Sequence, residues 1–167
     1  MPESHTEPDW CPDWPDESAV RARLARSIER LLDHDEYLLV HGHEQAITHR
    51  LAMYLQDEFP GWHVDVEYHT NLGTRKELHY NRDGSEVAED HGVRPDIIIH
   101  QRGTTRNLLA IEAKRQGQPT GNDVEKLKAA TRNEGPLEYQ YGVQVEFFSG
   151  PEPARCRWFQ AGEKIVS

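Results

Sequence analysis

Two short aliphatic segments constrain this chain more than any other feature. The first is Asp96-Ile97-Ile98-Ile99-His100 and the second is Asn107-Leu108-Leu109-Ala110-Ile111-Glu112-Ala113-Lys114. Between them lies the polar stretch Gln101-Arg102-Gly103-Thr104-Thr105-Arg106. Short β-branched and aliphatic runs on either side of a Gly-containing polar stretch predict a β-hairpin. With the turn centred on Thr104, Asp96 and Glu112 fall opposite one another, because both lie the same distance from it. Strand side chains repeat every two residues, so Lys114 shares their face. Two acids and an amine on one sheet face suit a divalent metal with a cationic neighbour.

The chain has 167 residues, enough for one domain with a genuine core. Its 36% hydrophobic content and mean hydropathy of −0.84 predict a thin core. No segment has the apolar length needed to span a bilayer, so a membrane is not among the expected partners. Met1 to Glu7 lacks a basic region followed by an apolar one, so no signal peptide is expected. Cys11 and Cys156 are far apart and outside any CxxC spacing, which predicts a reduced, cytoplasmic protein without a zinc knuckle. The net charge of −10 argues against nucleic acid. Its distribution softens that objection. Residues 1–20 hold six acids and no Lys or Arg, whereas residues 94–132 hold eight basic residues against four acids, a balance of +4.

Residues 1–15, with four prolines, several acids, Trp10 and Trp14, predict an irregular acidic segment whose tryptophans dock on the body. Residues 16–167 are expected to form a single domain that opens with an extra helix. That helix runs from about Asp16 to Leu32 on a stripe of Val20, Leu24, Ile28 and Leu31, with Asp16 or Ser18 as its cap. A second helix is expected from about His43 to Glu58, ended by Pro60-Gly61. Alternation predicts a strand over Trp62–His69, and a turn at Asn81-Arg82-Asp83-Gly84 joins Lys76–Tyr80 to Val87. After the hairpin, Gln116–Gly121 reads as a loop. Asn122 or Asp123 then caps a helix through about Thr131, with Val124, Leu127 and Ala130 inward. Strands over Tyr141–Ser149 and Arg155–Ala161 close the chain. This order predicts a mixed α/β domain.

Hydrolysing a phosphodiester requires a Lewis acid, an activated water and charge stabilisation at phosphorus. Asp96 and Glu112 are hard oxygen ligands suited to Mg²⁺ or Mn²⁺. The backbone carbonyl of Ala113, between Glu112 and Lys114, is a candidate further ligand. Lys114 is placed to orient or deprotonate a water, or to neutralise developing charge. The bland alternative is an acid opening a strand and a surface Glu-x-Lys pair. Glu44 strengthens the chemical reading, because it falls in the same helical sector as Ile47, Leu51 and Leu55. A buried carboxylate there needs a partner. An acid favoured by the helix dipole would account for it equally well.

Together, Glu44, Pro95-Asp96 with its isoleucine run, and Leu109-Ala110-Ile111-Glu112-Ala113-Lys114 resemble the PD-(D/E)xK nuclease superfamily. Asp123-x-x-Lys126-Leu127 and Tyr139–Val143 follow as they often do in such domains. The resemblance spans roughly Gly42 to Phe148, and its specific part lies in three short segments. It implies a restriction-endonuclease-like core: a mixed β-sheet flanked by helices in the order αβββαβ. It further implies that Asp96 and Glu112 bind Mg²⁺, that Lys114 assists the water, and that Glu44 is an auxiliary acid. The implied activity is metal-dependent endonucleolytic hydrolysis, with DNA as the expected substrate. Duplex or branched form and sequence preference stay open, as does RNA.

His100, which continues the Asp96 face, is a candidate substrate contact, together with Lys126 and Gln140. A solvated helix face explains Lys126 equally well. One such site cuts one strand at a time, which leaves room for a homodimer, and a partner protein could supply targeting. The competing class is a nucleic-acid-binding or protein-interaction module that keeps the fold without turnover. A weaker alternative is a His-based metallohydrolase built on His41-Gly42-His43.

Overall fold

The computed structural model describes residues 11–66, 70–71, 74–75, 79–82, 85–88, 95–118, 121–133, 135 and 137–166. Three helices come first: α1 (Glu17–His34), α2 (Glu36–His41) and α3 (Glu44–Glu58). Asp16 caps α1, its side chain accepting from the Ala19 amide at 2.8 Å, and Val20, Leu24, Ile28 and Leu31 are buried as their spacing predicts. In α3 the inward stripe is Ile47, Leu51, Tyr54 and Leu55. The Phe59 amide closes this helix on the Leu55 carbonyl, and Gly61 turns away at φ +82°. Sequence periodicity passes over α2 because none of its residues is buried. Arg115 holds the end of α2, donating to the Gly42 carbonyl at 2.6 Å and the Val40 carbonyl at 3.1 Å.

The strands are β1 (His63–Val66), β2 (Thr70–Asn71), β3 (Thr74–Arg75), β4 (His79–Arg82), β5 (Ser85–Ala88), β6 (Ile97–His100), β7 (Asn107–Arg115), β8 (Tyr141–Phe147), β9 (Ala154–Gln160) and β10 (Glu163–Ile165). Helix α4 (Gly121–Thr131) joins β7 to β8. The main sheet has six strands in the order β1-β6-β7-β8-β9-β10, while β2-β3 and β4-β5 form two small hairpins. Within the main sheet β7 and β8 run parallel, as a connecting helix permits, and the other neighbours are antiparallel. The domain is therefore mixed α/β.

Several boundaries shift from the sequence expectation. The first main strand is described as His63–Val66, and residues 67–69 lie outside the described set. Asn81 and Arg82 end β4, and residues 83–84 of the expected turn, like Lys76 of the strand before it, lie outside the described residues. Asn122 and Asp123 sit inside the first turn of α4, which begins at Gly121. The short β10 was not foreseen.

The sheet separates two cores. On one face Ile97, Ile99, Leu109, Ile111, Val143, Val145 and Trp158 pack against α1 and α3. On the other, Ile98, Ala110 and Phe159 pack against Leu127 and Ala130 of α4. Leu51, fully buried at the centre of the larger core, should cost about 2–5 kcal/mol if cut to alanine.

Residues 11–16 dock without regular structure, while Trp10 and the rest of residues 1–10 lie outside the described residues. Arg106, itself buried, stacks between Trp14 and Trp62 at 4.8 and 5.1 Å and donates to the Pro12 carbonyl. The two indoles meet edge-on with ring centroids 5.2 Å apart. Trp158 is a core residue, and Cys11 and Cys156 are free thiols. Among the described residues no helix is long and apolar enough to cross a membrane.

Candidate active site

Pairing of β6 with β7 follows the register expected from a turn at Thr104. Ile97 faces Ile111 and Ile99 faces Leu109, so Asp96, one residue before β6, falls opposite Glu112. The register slips between Ile99 and His100, where His100 meets Asn107. Leu108 is the extra residue of this bulge, and it enters the large core beside Leu109. The slip lies at the far end of the pair and leaves the carboxylates aligned.

Asp96 Oδ2 accepts a hydrogen bond from the Ala113 amide at 2.8 Å, and its carboxyl lies close enough to that of Glu112 for each to alter the other's proton affinity. Glu112 is 2% exposed, and its Oε1 has no hydrogen-bond partner. A buried carboxylate without a counter-charge costs several kcal/mol, so it takes up a proton or a cation. Burial accordingly raises the Asp96 carboxyl above the usual range, against the pull of the Ala113 amide. Burial, and then the charge of Asp96 beside it, push Glu112 well above that range.

Lys114 lies 3.5 Å from Glu44 Oε1 and 3.5 Å from Asp123 Oδ2. Burial works against its ammonium, yet the charges of Asp123, Glu44, Asp96 and Glu112 outweigh burial and raise its pKa. Lys114 is therefore a fixed cation near neutral pH, suited to stabilising charge rather than to taking a proton from water. Glu44, in the first turn of α3, joins the site through this lysine. It also borders a cleft of about 300 Å³ lined by Gln45, Thr48, His49, Val66 and Asp96.

Two members of the cluster come from α4. Asp123 is 4% exposed, and burial raises its carboxyl despite Lys114 and Lys126 nearby. Lys126 Nζ stands 3.9 Å from Asp123 Oδ1 and contributes an attractive charge at Glu112. Sequence reasoning treated Asp123 as a cap. Its burial follows from α4 starting earlier and turning this residue toward the sheet.

Two other candidates do not reach the site. His100 shares the Asp96 face but lies four residues along, roughly 13 Å at ~3.3 Å per residue. It is buried, with Nε2 2.7 Å from Asp65 Oδ2. Gln140 is exposed at the opposite end of β7, its amide bonded to the Asn107 carbonyl. The glutamine beside Glu112 is Gln144, its partner in the parallel register and fully buried. A polar residue within Tyr141-Gly142-Val143-Gln144-Val145 was the available signal. His41 stacks on Tyr37 with centroids 4.6 Å apart, and His43 is the α3 cap position with no side-chain capping bond.

Among the described residues no group of three or more His, Cys, Asp or Glu side chains converges at ligand spacing. The pair in contact is Asp96 and Glu112. Its chemistry fits a hard divalent cation: two oxygen donors, one with an unpartnered buried atom, and both inclined to hold a proton. The chain matches no protein-family model, no curated protein and no solved structure.

Proposed function

We propose that this protein is a metal-dependent nuclease that hydrolyses phosphodiester bonds, with DNA as its substrate and a restriction-endonuclease-like core. One observation carries the reading: half-buried Asp96 adjoins buried Glu112, Glu112 Oε1 is left without a partner, and Lys114 stands on the same strand face. The order α3, β1, β6, β7, α4, β8 in and around the main sheet supports the proposed core.

Asp96 and Glu112 would hold Mg²⁺ or Mn²⁺, and the Ala113 peptide borders the pair. A bound cation would polarise the scissile phosphate and lower the pKa of the attacking water. The chain's own residues do the rest. The Ala113 amide orients the Asp96 carboxylate. Glu44 and Asp123 hold the Lys114 ammonium from two sides, so its charge faces the developing negative charge at phosphorus without reorganisation. The cleft beside Glu44 and Asp96 gives the substrate an approach from the α3 side.

The test is cleavage of plasmid and single-stranded DNA in Mg²⁺ by wild type, Asp96→Ala and Lys114→Ala. Loss in both variants is the expected result, and undiminished cleavage by both would overturn the proposal. The net charge of −10 and the engagement of Lys114 by two carboxylates favour one second reading, a binding module without turnover. Mg²⁺ binding with no cleavage of any DNA or RNA form would select it.

A further inference from the structure

Strand registers carry the carboxylate row beyond β7. Glu112 pairs with Gln144 on β8, and Gln144 pairs with Arg157 on β9. Residues paired across strands share a face, and these three share the face of Ala110, Gly142 and Phe159, which α4 covers. Cover by α4 is close at Gly142, where an added Cβ would lie 3.1 Å from Thr131 and 3.3 Å from Leu127. Two residues along β8 the same positions turn polar: Asp96, Glu112, Gln144 and Arg157 form one row, and Lys114, Glu146 and Arg155 form the next.

Gln144 is fully buried between Val143 and Val145, a costly position unless its amide is used. Its Oε1 accepts from Arg157 Nη1 at 3.4 Å. Arg157 Nη2 lies 3.2 Å from Glu146 Oε1, and the arginine side chain keeps 35% of its surface exposed. The guanidinium is thus held at the open end of a row that begins at the carboxylate pair. Two strand spacings of ~4.8 Å separate it from Glu112, roughly 10 Å. A planar, permanently charged fork is suited to a phosphate.

We infer that Arg157 binds a backbone phosphate flanking the scissile one, and that Gln144 is the positioning residue that aligns it with Glu112. Glu112 and Gln144 are themselves buried, so the substrate strand passes the end of the sheet that carries Lys114 and Glu146 rather than over the face that α4 covers. This assignment rests on the nuclease reading and adds a direction to it.

The experiment is fluorescence anisotropy of a labelled 30-nucleotide DNA, duplex and single-stranded, titrated in Ca²⁺ over a range of salt. Arg157→Gln should weaken binding about tenfold and reduce the salt slope by about 0.9, the value of one released counterion on duplex DNA. Glu146→Gln removes the carboxylate that competes for Arg157, so it should tighten binding severalfold. This second variant keeps the arginine and separates a phosphate contact from a merely structural ion pair. Mn²⁺ affinity, read by electron paramagnetic resonance, should be unchanged in Arg157→Gln and lost in Asp96→Ala. Wild-type affinity and slope in Arg157→Gln, with Glu146→Gln no tighter, would overturn the inference even where wild type cleaves DNA. Weaker binding by Arg157→Gln in a protein that cleaves nothing would uphold the contact while sinking the nuclease reading.

Discussion

Strand β6 has an aspartate near each end, and the two are handled in opposite ways. Toward the His100 end, Asp65 of the neighbouring β1 receives Arg102 Nε at 2.8 Å and His100 Nε2 at 2.7 Å. Burial would raise its carboxyl, but those hydrogen bonds and charges win and hold it below the usual value. At the other end, Asp96 meets a second carboxylate instead of a cation, and both acids are raised. The first arrangement is complete in itself. The second leaves a buried oxygen unpartnered, a position that favours taking up a proton or, on the proposed reading, a cation.

Substitutions at the two ends should separate most in activity. On the proposed mechanism, Glu112→Gln removes a carboxylate that would hold the metal and with it several kcal/mol of transition-state stabilisation. Cleavage should fall on the order of a thousandfold, whereas Asp65→Asn should leave the rate per folded molecule unchanged. Equal losses in both would erase the distinction.

Ligand linkage is the next largest effect. Mn²⁺ at a hundred times its dissociation constant should stabilise the wild type by about 2.7 kcal/mol. The same addition should leave Asp96→Ala unmoved while still stabilising Asp65→Asn, as thermal melts would show.

Stability in metal-free buffer should then diverge in sign. Asp65→Asn leaves Arg102 and His100 short of a charged partner and should lose about 1–3 kcal/mol. Glu112→Gln relieves a buried acid and should hold or gain stability.

The smallest effect is the pH dependence. Asp65 has a lowered folded pKa, so its contribution is full above the ordinary aspartate pKa and disappears as pH falls through the folded value. Glu112 has a raised one, so the metal-free protein loses stability as pH climbs from the ordinary glutamate pKa toward the folded value. Glu112→Gln should flatten that upper decline, and Asp65→Asn the acid limb. Unfolding in urea at stepped pH would read both.

What the sequence revealed follows from the range of each interaction. Asp96 opposite Glu112 was legible because a hairpin register is set by its own turn, and the α1 and α3 stripes because helical periodicity is local. The six residues of α2 place only Leu38 and Leu39, both partly buried, against the core, too short a run to leave a periodic pattern. Asp123 looked like a cap because its burial depends on how α4 meets the sheet. Gln144 was visible as a polar interruption, but its place beside Glu112 depends on parallel pairing across a helix, a tertiary fact. His100 reads from the sequence as a phosphate contact or simply the end of its strand, and it does end β6; a shared face says nothing about distance along the strand.

The indoles of Trp14 and Trp62, with the Arg106 guanidinium between them, give the molecule an optical handle far from its carboxylates in sequence. The rings meet edge-on 5.2 Å apart in a fixed asymmetric contact, so detachment of residues 11–16 should register in near-ultraviolet dichroism and tryptophan fluorescence while amide exchange in the helices and main sheet stays unchanged. Lifting of the leading segment can therefore be followed separately from unfolding of the sheet.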